Sequence, residues 1–490
     1  MRAPAAKRGR RARALTVFAR LNGHVTLEVH ADGNIVARCD GYFAGLGTFS
    51  ADAPVRAQEL RIGLALASSA SSGRTIDQGT DLLVRQLARH GLLEYGLRRS
   101  LADEDRVVIE PQVADYWPRT APLGNADVLV LSRFAYMRRR GNEMVLESPR
   151  AGALFKICDP KIATTLAMLS APQQVKELRR RDGFPGVELL ALLVDCQILF
   201  KVDAARDSGL RLAEGDNDLI LWDFHDLLFH ARSTEGRHAN PLGGLYPYAG
   251  VRPALPAVRR RWPGKKIDLR KLSVVHAKAI SPAARLLHER HSVRSFDDQR
   301  PITLAELSRF LDSTARVMSR WESRIDLGDA RPLVKYAARP YPSAGASYEL
   351  ELYLAVDKCE GLARGFYHYD AGVHALVPIS APMHELEVLL EGAQFVMDAP
   401  AAPQVLITIA ARFGRISWKY SSLAYALILK DAGVLIQTLY LMATDMGLGG
   451  CAVGRTNIDL FAKMTGIEFH VEGPVGQFAL GRGTKSGASD

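Results

Sequence analysis

Cysteine is scarce in this chain. Five residues out of 490 (Cys39, Cys158, Cys196, Cys359, Cys451) form no CxxC pair and no Cys/His set at metal-ligand spacing. That argues against a structural zinc site and a disulfide framework, and no metal is expected. The pattern suits reduced thiols of a cytoplasmic protein, mostly in cores. Runs of roughly 18 or more apolar residues are absent, which argues against a membrane-spanning helix and against a membrane partner. Acids are missing from residues 1–14, which carry Arg2, Lys7, Arg8, Arg10, Arg11 and Arg13. The same stretch lacks the apolar core of a secretory signal, so it reads as a disordered basic tail. It supplies six of the ten net positive charges. The remaining excess is mild and gives little support for a nucleic-acid partner.

What is present is enough chain for several domains. At roughly 150 residues per domain, 490 residues suggest about two to four. Residues 15–115 open with a hairpin pattern: 25–29 alternate, Ala31-Asp32-Gly33-Asn34 turns, and 35–39 alternate again. A helix follows over 80–90, with Gly91 as its C-cap. Residues 125–205 repeat that order. Segments 134–138 and 144–148 flank a turn at 140–142, helices are expected at 161–169, 173–181 and 187–195, and a strand at 198–202 closes the unit. A hairpin with three helices is a winged-helix pattern. Its third helix, Val187-Glu188-Leu189-Leu190-Ala191-Leu192-Leu193, has no basic face, which argues against groove reading.

Residues 206–280 are rich in Pro, Gly and aromatics and read as a linker. They include Trp222-Asp223-Phe224-His225-Asp226-Leu227-Leu228-Phe229-His230, whose two histidines sit off one helical face. Packing or hydrogen bonding, rather than metal binding, is expected of them. A basic run over 259–266, broken by Trp262 and Pro263, reads as a solvated connector. The region 281–485 mixes strands (350–356, 365–369, 405–409) with helices over 420–433 and on to 446. It lacks a βαβ rhythm, so the fold class is α+β.

Four elements in that last region carry chemistry. Arg290-His291-Ser292-Val293-Arg294 packs cations and a hydroxyl into five residues, which suits a phosphate dianion. Thr303 and Glu306 just beyond it form a capping box. Pro342-Ser343-Ala344-Gly345-Ala346 is a small-residue loop whose backbone can approach a planar ring. Ser417-Trp418-Lys419-Tyr420 stands at an expected helix start, and Gly447-Leu448-Gly449-Gly450-Cys451-Ala452-Val453-Gly454 follows a long apolar helix.

In order and spacing these elements resemble the nitroreductase superfamily of flavin enzymes. The closer resemblance, over residues 220–485, is to SagB-type dehydrogenases, the azoline oxidases of ribosomal peptide biosynthesis. It rests on HERHSVRSF, PSAGASYELELYLAV, GLARGFYHYD, SWKYSSLAYALILKDAG, GLGGCAVG and WDFHDLLFH. It implies FMN held at a homodimer interface, with 206–280 contributing to dimer packing. Arg290, His291, Ser292 and Arg294 would hold the FMN phosphate, and Arg482 would add a second contact. Ser343 and Gly345 would line the isoalloxazine, and Gly449 and Gly450 would cover its pyrimidine edge. Lys419 and Tyr420 match the pair associated with azoline oxidation. That reaction takes a proton and a hydride from the ring, so it needs a base, and a buried Lys beside a Tyr can be tuned for the task.

Two departures stand out. Ordinary nitroreductases often carry Asn where this chain has Ala346, a departure shared by the SagB-type branch. The branch often has arginines where this chain has Leu423 and Ala426.

The N-terminal half resembles the peptide-clamp (RiPP recognition) domains of such pathways, with 125–205 the better fit; the alternative is that both units are degenerate scaffolds that only dock partner enzymes. The segment 134–138 would be the edge strand taking a leader peptide, and Arg138, Arg139 and Arg140 would attract acidic leader residues. The implied partners are a precursor peptide (leader and cyclised core) and a cyclodehydratase, with dioxygen reoxidising the flavin. Three alternatives stay open: a general NAD(P)H-dependent flavin reductase or nitroreductase, a non-catalytic peptide-binding scaffold, and, remotely, a winged-helix regulator.

Overall fold

The computed structural model describes residues 14–39, 42–49, 53–66, 78–202, 214–237, 246, 249–259, 263–269, 280–328 and 330–484. The expected tail, up to residue 13, lies outside them, as does much of the expected linker. The chain divides into two compact units, 1–240 and 241–490.

The first unit is β-rich and is organised by one sheet. Seven antiparallel strands run in the order Leu64–Ala65, Thr16–Leu21, Leu93–Arg98, Val107–Pro111, Ala153–Ile157, Glu143–Glu147, Tyr136–Arg140. The regions 15–115 and 125–205 both feed this sheet. Val107–Pro111 of one pairs along its whole length with Ala153–Ile157 of the other. A single apolar core runs beneath it and includes Ala19, Tyr95 and Ile109 together with Leu146, Phe155, Ile162 and Leu190. Two small sheets complete the unit. One is a meander of Val25–Val29, Asn34–Cys39 and Tyr42–Thr48, and the other joins Gln173–Gln174, Val128–Leu131 and Leu199–Val202.

Local sequence rules hold well here. The helix Gln78–Arg89 ends before Gly91, which takes φ 65° in the left-handed region. The helix Val187–Asp195 forms where its apolar run lies, and Leu189 to Leu193 are all buried. The expected strand at 134–138 begins two residues later, at Tyr136, because Phe134 is fully buried and Ala135 closes a turn onto the Ser132 carbonyl.

The second unit places a six-stranded antiparallel sheet between helices. Its order is Ala375–Ile379, Gly365–Asp370, Leu350–Val356, Val405–Arg412, Glu472–Gly481, Gly449–Val453. Alternation sends Tyr353, Ala355, Leu406 and Ala479 to one face. There Leu386 and Leu390 of the helix Met383–Met397 and Phe461 of the helix Ile458–Thr465 cover them. Phe478 faces the other way and meets Tyr440 of the long helix Ala424–Asp445 edge-on at 5.0 Å. That helix buries Ala424, Tyr425, Ile428, Asp431, Ala432, Leu435, Leu439, Tyr440 and Ala443, a stripe at spacings of three and four. Its length and composition would let it cross a bilayer, but this stripe makes it a core helix. It starts at Ala424 rather than near 420 and runs unbroken through Gly433. A two-stranded arm, Ser319–Arg324 with Leu333–Ala338, stands off the sheet and leads into the 343–346 loop.

Candidate functional site

The cationic cluster forms a ledge along the C-terminal strands. The helix Pro282–Glu289, capped by Ser281, stops at Arg290, and the chain then runs extended. Val293 N–H donates to the Gly450 carbonyl at 2.9 Å, Asp297 N–H to Arg482 at 2.8 Å, and Thr484 N–H to Ser295 at 3.2 Å. The fold therefore brings the segment Arg290, His291, Ser292 and Arg294 beside Gly449, Gly450 and Arg482. A Cβ built on Gly449 would meet the Val293 side chain at 2.6 Å, so the seam between the two segments requires glycine there. His291 and Arg294 are exposed, and Arg290 and Ser292 half-buried. The guanidinium of Arg290 lies over the Tyr440 ring at 5.1 Å. The Tyr440 hydroxyl accepts the Ala452 N–H at 2.7 Å and stands 2.9 Å from Ser292 Oγ. The tyrosine therefore links Ser292 to the backbone of the strand Gly449–Val453. Burial pushes the nearby Cys451 thiol up, against the pull of the Arg294 charge.

Arg482 is placed differently from its neighbours. Its Nη2 donates to both Glu306 oxygens at 2.8 Å, and its Nε to the Arg300 carbonyl at 3.2 Å. Glu306 also completes the expected capping box with Thr303. Any anion on the ledge would share this arginine with Glu306.

The second cluster is the 343–346 loop with its two neighbours. Lys419 and Tyr420 lie in the connection between the helix Phe413–Ser417 and the long helix, rather than at a helix start. Lys419 Nζ donates to the Gly345 carbonyl at 3.0 Å and lies 5.4 Å from the Tyr420 ring centre. A Cβ on Gly345 would collide with both Lys419 Nζ and the Tyr420 hydroxyl, so their approach depends on this glycine. The expectation of a buried lysine is not met: Lys419 is exposed and Tyr420 half-buried. Its ammonium is held by a backbone carbonyl, not by desolvation.

Ser343 accepts the Tyr348 N–H at 2.9 Å and donates to Glu349 at 3.3 Å. Gly345, Ala346 and Tyr348 all take left-handed φ, at 57°, 53° and 46°. Asn tolerates that region better than Ala, which gives a physical reason for Asn at this place in ordinary nitroreductases.

The long helix serves both clusters. Asp431 accepts the Ala344 N–H at 2.8 Å, and Tyr440, nine residues on, reaches the ledge. At 1.5 Å per residue the two anchors lie about 13–14 Å apart along the axis. Sequence reading passed over Tyr440, Asp431, Glu349 and the fully buried Gln404. The signal available for Asp431 was a lone acid deep in an apolar helix.

In the first unit, Tyr136–Arg140 ends the sheet order, so it is an edge strand among the described residues. Arg138 pairs with Glu147 at 2.7 Å, and Arg140 forks onto Glu110 at 2.8 and 2.9 Å, while Arg139 is exposed. Two of the three arginines expected to attract a leader are thus matched internally. His230 is buried and stacks on Trp222 at 5.8 Å, a packing role. Asp223, His225 and Asp226 bring ligand atoms within 4.8 Å of one another. Cys158, Cys196, Cys359 and Cys451 are free thiols, two of them buried.

Comparison with known proteins adds to this geometry. Residues 287–482 match the nitroreductase family model, and residues 129–239 match the cyanobactin oxidase ThcOx model. Among solved structures, a nitroreductase-family protein of Ralstonia eutropha is 23% identical, covering 50% of this chain and 99% of its own (TM-score 0.32). The Escherichia coli microcin synthetase complex McbBCD, with truncated pro-MccB17 bound, is 18% identical, covering 58% and 100% (TM-score 0.37). An FMN complex from Desulfovibrio desulfuricans is 12% identical, covering 43% and 91% (TM-score 0.28). A nitroreductase relative in Methanocaldococcus jannaschii is 32% identical over 171 residues, which is 34% of this chain and 76% of that protein. With that identity over three quarters of a relative, and a family model spanning both the ledge and the Ser343 loop, the chain belongs to the nitroreductase family of oxidoreductases.

Proposed function

We propose that the chain is an FMN-dependent dehydrogenase that oxidises thiazoline or oxazoline rings to azoles in a ribosomally made peptide. The observation that carries this reading is the seating of Lys419 and Tyr420 on the Gly345 loop. It occurs in a nitroreductase-family chain that also bears a cyanobactin-oxidase segment.

The residues present suit FMN. The ledge brings together exposed His291 and Arg294 with half-buried Arg290 and the Ser292 hydroxyl, the donor set a phosphate dianion takes. The small residues of the loop at Ser343 and Gly345 would line a planar ring, while Gly449 and Gly450 are packed against Val293 and Phe478 and would set the shape of its far side. When bound, FMN supplies the hydride acceptor. Lys419 and Tyr420 would then stand where a proton must leave the substrate ring. Lys419 orients through the Gly345 carbonyl, and its ammonium and the Tyr420 hydroxyl converge on one spot above the loop. In this reading the Lys419–Tyr420 pair takes the proton that leaves the substrate ring there.

The first unit supports a peptide substrate. Its edge strand Tyr136–Arg140 has the form that accepts an added strand, and Arg139 supplies an exposed charge beside it. In this reading the unit holds a leader in a winged-helix-like clamp, the catalytic form is a homodimer, and a cyclodehydratase supplies the cyclised substrate in the cytoplasm.

The test uses purified full-length protein and a cyclised precursor peptide. The protein is expected to be yellow and to remove two hydrogens per ring, read by mass. Lys419→Ala is expected to retain flavin and to lose azole formation by about a hundredfold or more, in line with general-base contributions. A Lys419→Ala variant as fast as wild type would remove Lys419 from the chemistry. Rapid NAD(P)H consumption without peptide would favour the general reductase instead.

A further inference from the structure

Beneath the 343–346 loop lie two acids that the reaction above does not use. Glu349 is fully buried and Asp431 is 6% exposed. Glu349 sits just before the strand Leu350–Val356, and Asp431 lies on the buried stripe of the long helix. Their side chains tie neighbouring residues of the same loop, Ser343 and Ala344, and the Asp431 charge acts on Glu349. Two carboxylates buried together repel, which favours the acid form of one of them.

The remaining contacts show which one. Asp431 Oδ2 accepts the Ala344 N–H at 2.8 Å, the kind of bond that favours a charged acceptor. Glu349 Oε2 accepts the Ser343 hydroxyl at 3.3 Å. Glu349 Oε1 is buried and receives no donor. A proton on Oε1 makes that orphan a donor, able to bond the Asp431 carboxylate. Burial, joined by the neighbouring Asp431 charge, raises Glu349 to about 7. The other groups around the pair are Tyr341, itself pushed up by burial, with Arg339, Glu351 and Tyr348 acting on it, and Lys419 and Tyr420 across Gly345.

The loop above has reason to need such a support. Two of its non-glycine residues, Ala346 and Tyr348, hold left-handed backbone, which persists only where surrounding contacts fix it. Ser343 and Ala344 are tied by one bond each to the two acids.

We propose that Glu349 and Asp431 share a single proton, with Glu349 the acid and Asp431 the carboxylate, and that the pair positions the 343–346 loop against Lys419 and Tyr420. They are positioning residues and need not touch substrate. Calling the loop flavin-lining rests on the function proposed above; the shared proton does not.

Infrared spectra of the full chain test the proton directly. A protonated-carboxyl carbonyl band is expected in wild type, fading as pH rises through about 7 and missing from Glu349→Gln. Titration with FMN, followed by flavin fluorescence, tests the positioning role. Glu349→Gln keeps a donor toward Asp431 and is expected to hold FMN within about threefold of wild type. Glu349→Ala and Asp431→Asn are expected to weaken it about tenfold or more, the scale of a lost charged hydrogen bond. A wild-type chain with no such band overturns the shared proton. Glu349→Gln as damaged as Glu349→Ala overturns the positioning role, and Glu349→Gln alone decides if the alanine variant does not fold. Failure of wild type to bind FMN overturns the functional reading while the infrared result still stands.

Discussion

At the scale of single residues, Tyr440 shows how one side chain serves two strands of argument. Its hydroxyl joins Ser292 on the ledge to the backbone of Ala452, and its ring underlies Arg290. Tyr440→Phe keeps the ring and loses both bonds. It should cost about 1–2 kcal/mol in urea unfolding and weaken FMN several-fold in a fluorescence titration. The ledge itself was legible in the sequence, because its cations are contiguous. Tyr440 was not, because a tyrosine near the end of an apolar helix looks like core until the partners of its hydroxyl are known. The same holds for Lys419. Its identity was legible from the motif, but its exposure and its bond to Gly345 depend on a loop 74 residues away in sequence.

At the scale of elements, the ledge is held by a buried amide. Gln404 is fully buried. Its Oε1 accepts the Ile302 and Arg482 N–H groups at 2.9 and 3.0 Å, and its Nε2 donates to the Asp297 carbonyl at 2.8 Å. Three segments meet at this one side chain: the end of the ledge, the start of the helix Leu304–Ala315, and the C-terminal strand. Gln404→Leu fits the volume but strands three backbone groups. It is expected to cost about 3 kcal/mol or more by chemical denaturation and to release bound flavin on dilution.

The shared proton has its consequence at this scale too. Glu349 is raised above its unfolded value, so its contribution to stability is full below the ordinary carboxylate range. It declines as pH rises and is lost above about 7. Glu349→Gln should flatten that part of the pH–stability curve, measured by thermal unfolding between pH 5 and 8. Element types were largely readable from periodicity: the capping box at Thr303, the helix Val187–Asp195 and the strand Leu350–Val356 all fall where alternation or capping residues put them. The start of the long helix was not, since the serines of the connection, Ser421 and Ser422, fall short of the N-cap, which is Leu423 and makes no side-chain cap bond.

At the scale of the whole molecule, the proposed function assigns flavin and peptide to separate units. Charge reversal at the exposed edge, Arg139→Glu, should weaken an acidic leader several-fold and reduce the salt dependence of its binding, measured by anisotropy. Flavin content should stay unchanged. The division near residue 240 falls inside the Pro- and Gly-rich stretch 206–280 that composition marked as a linker. The architecture before it was less legible. Two successive hairpin-and-helix patterns read as two units, because strand order is a non-local property that no window of sequence contains. In the structure their strands join side by side in one sheet, where Val107–Pro111 finds its neighbour in Ala153–Ile157. A truncation between residues 115 and 125 would therefore cut through a ladder and split a shared interior, baring two sticky margins where none existed. The front portion of this polypeptide has to be inherited, expressed or grafted as one piece.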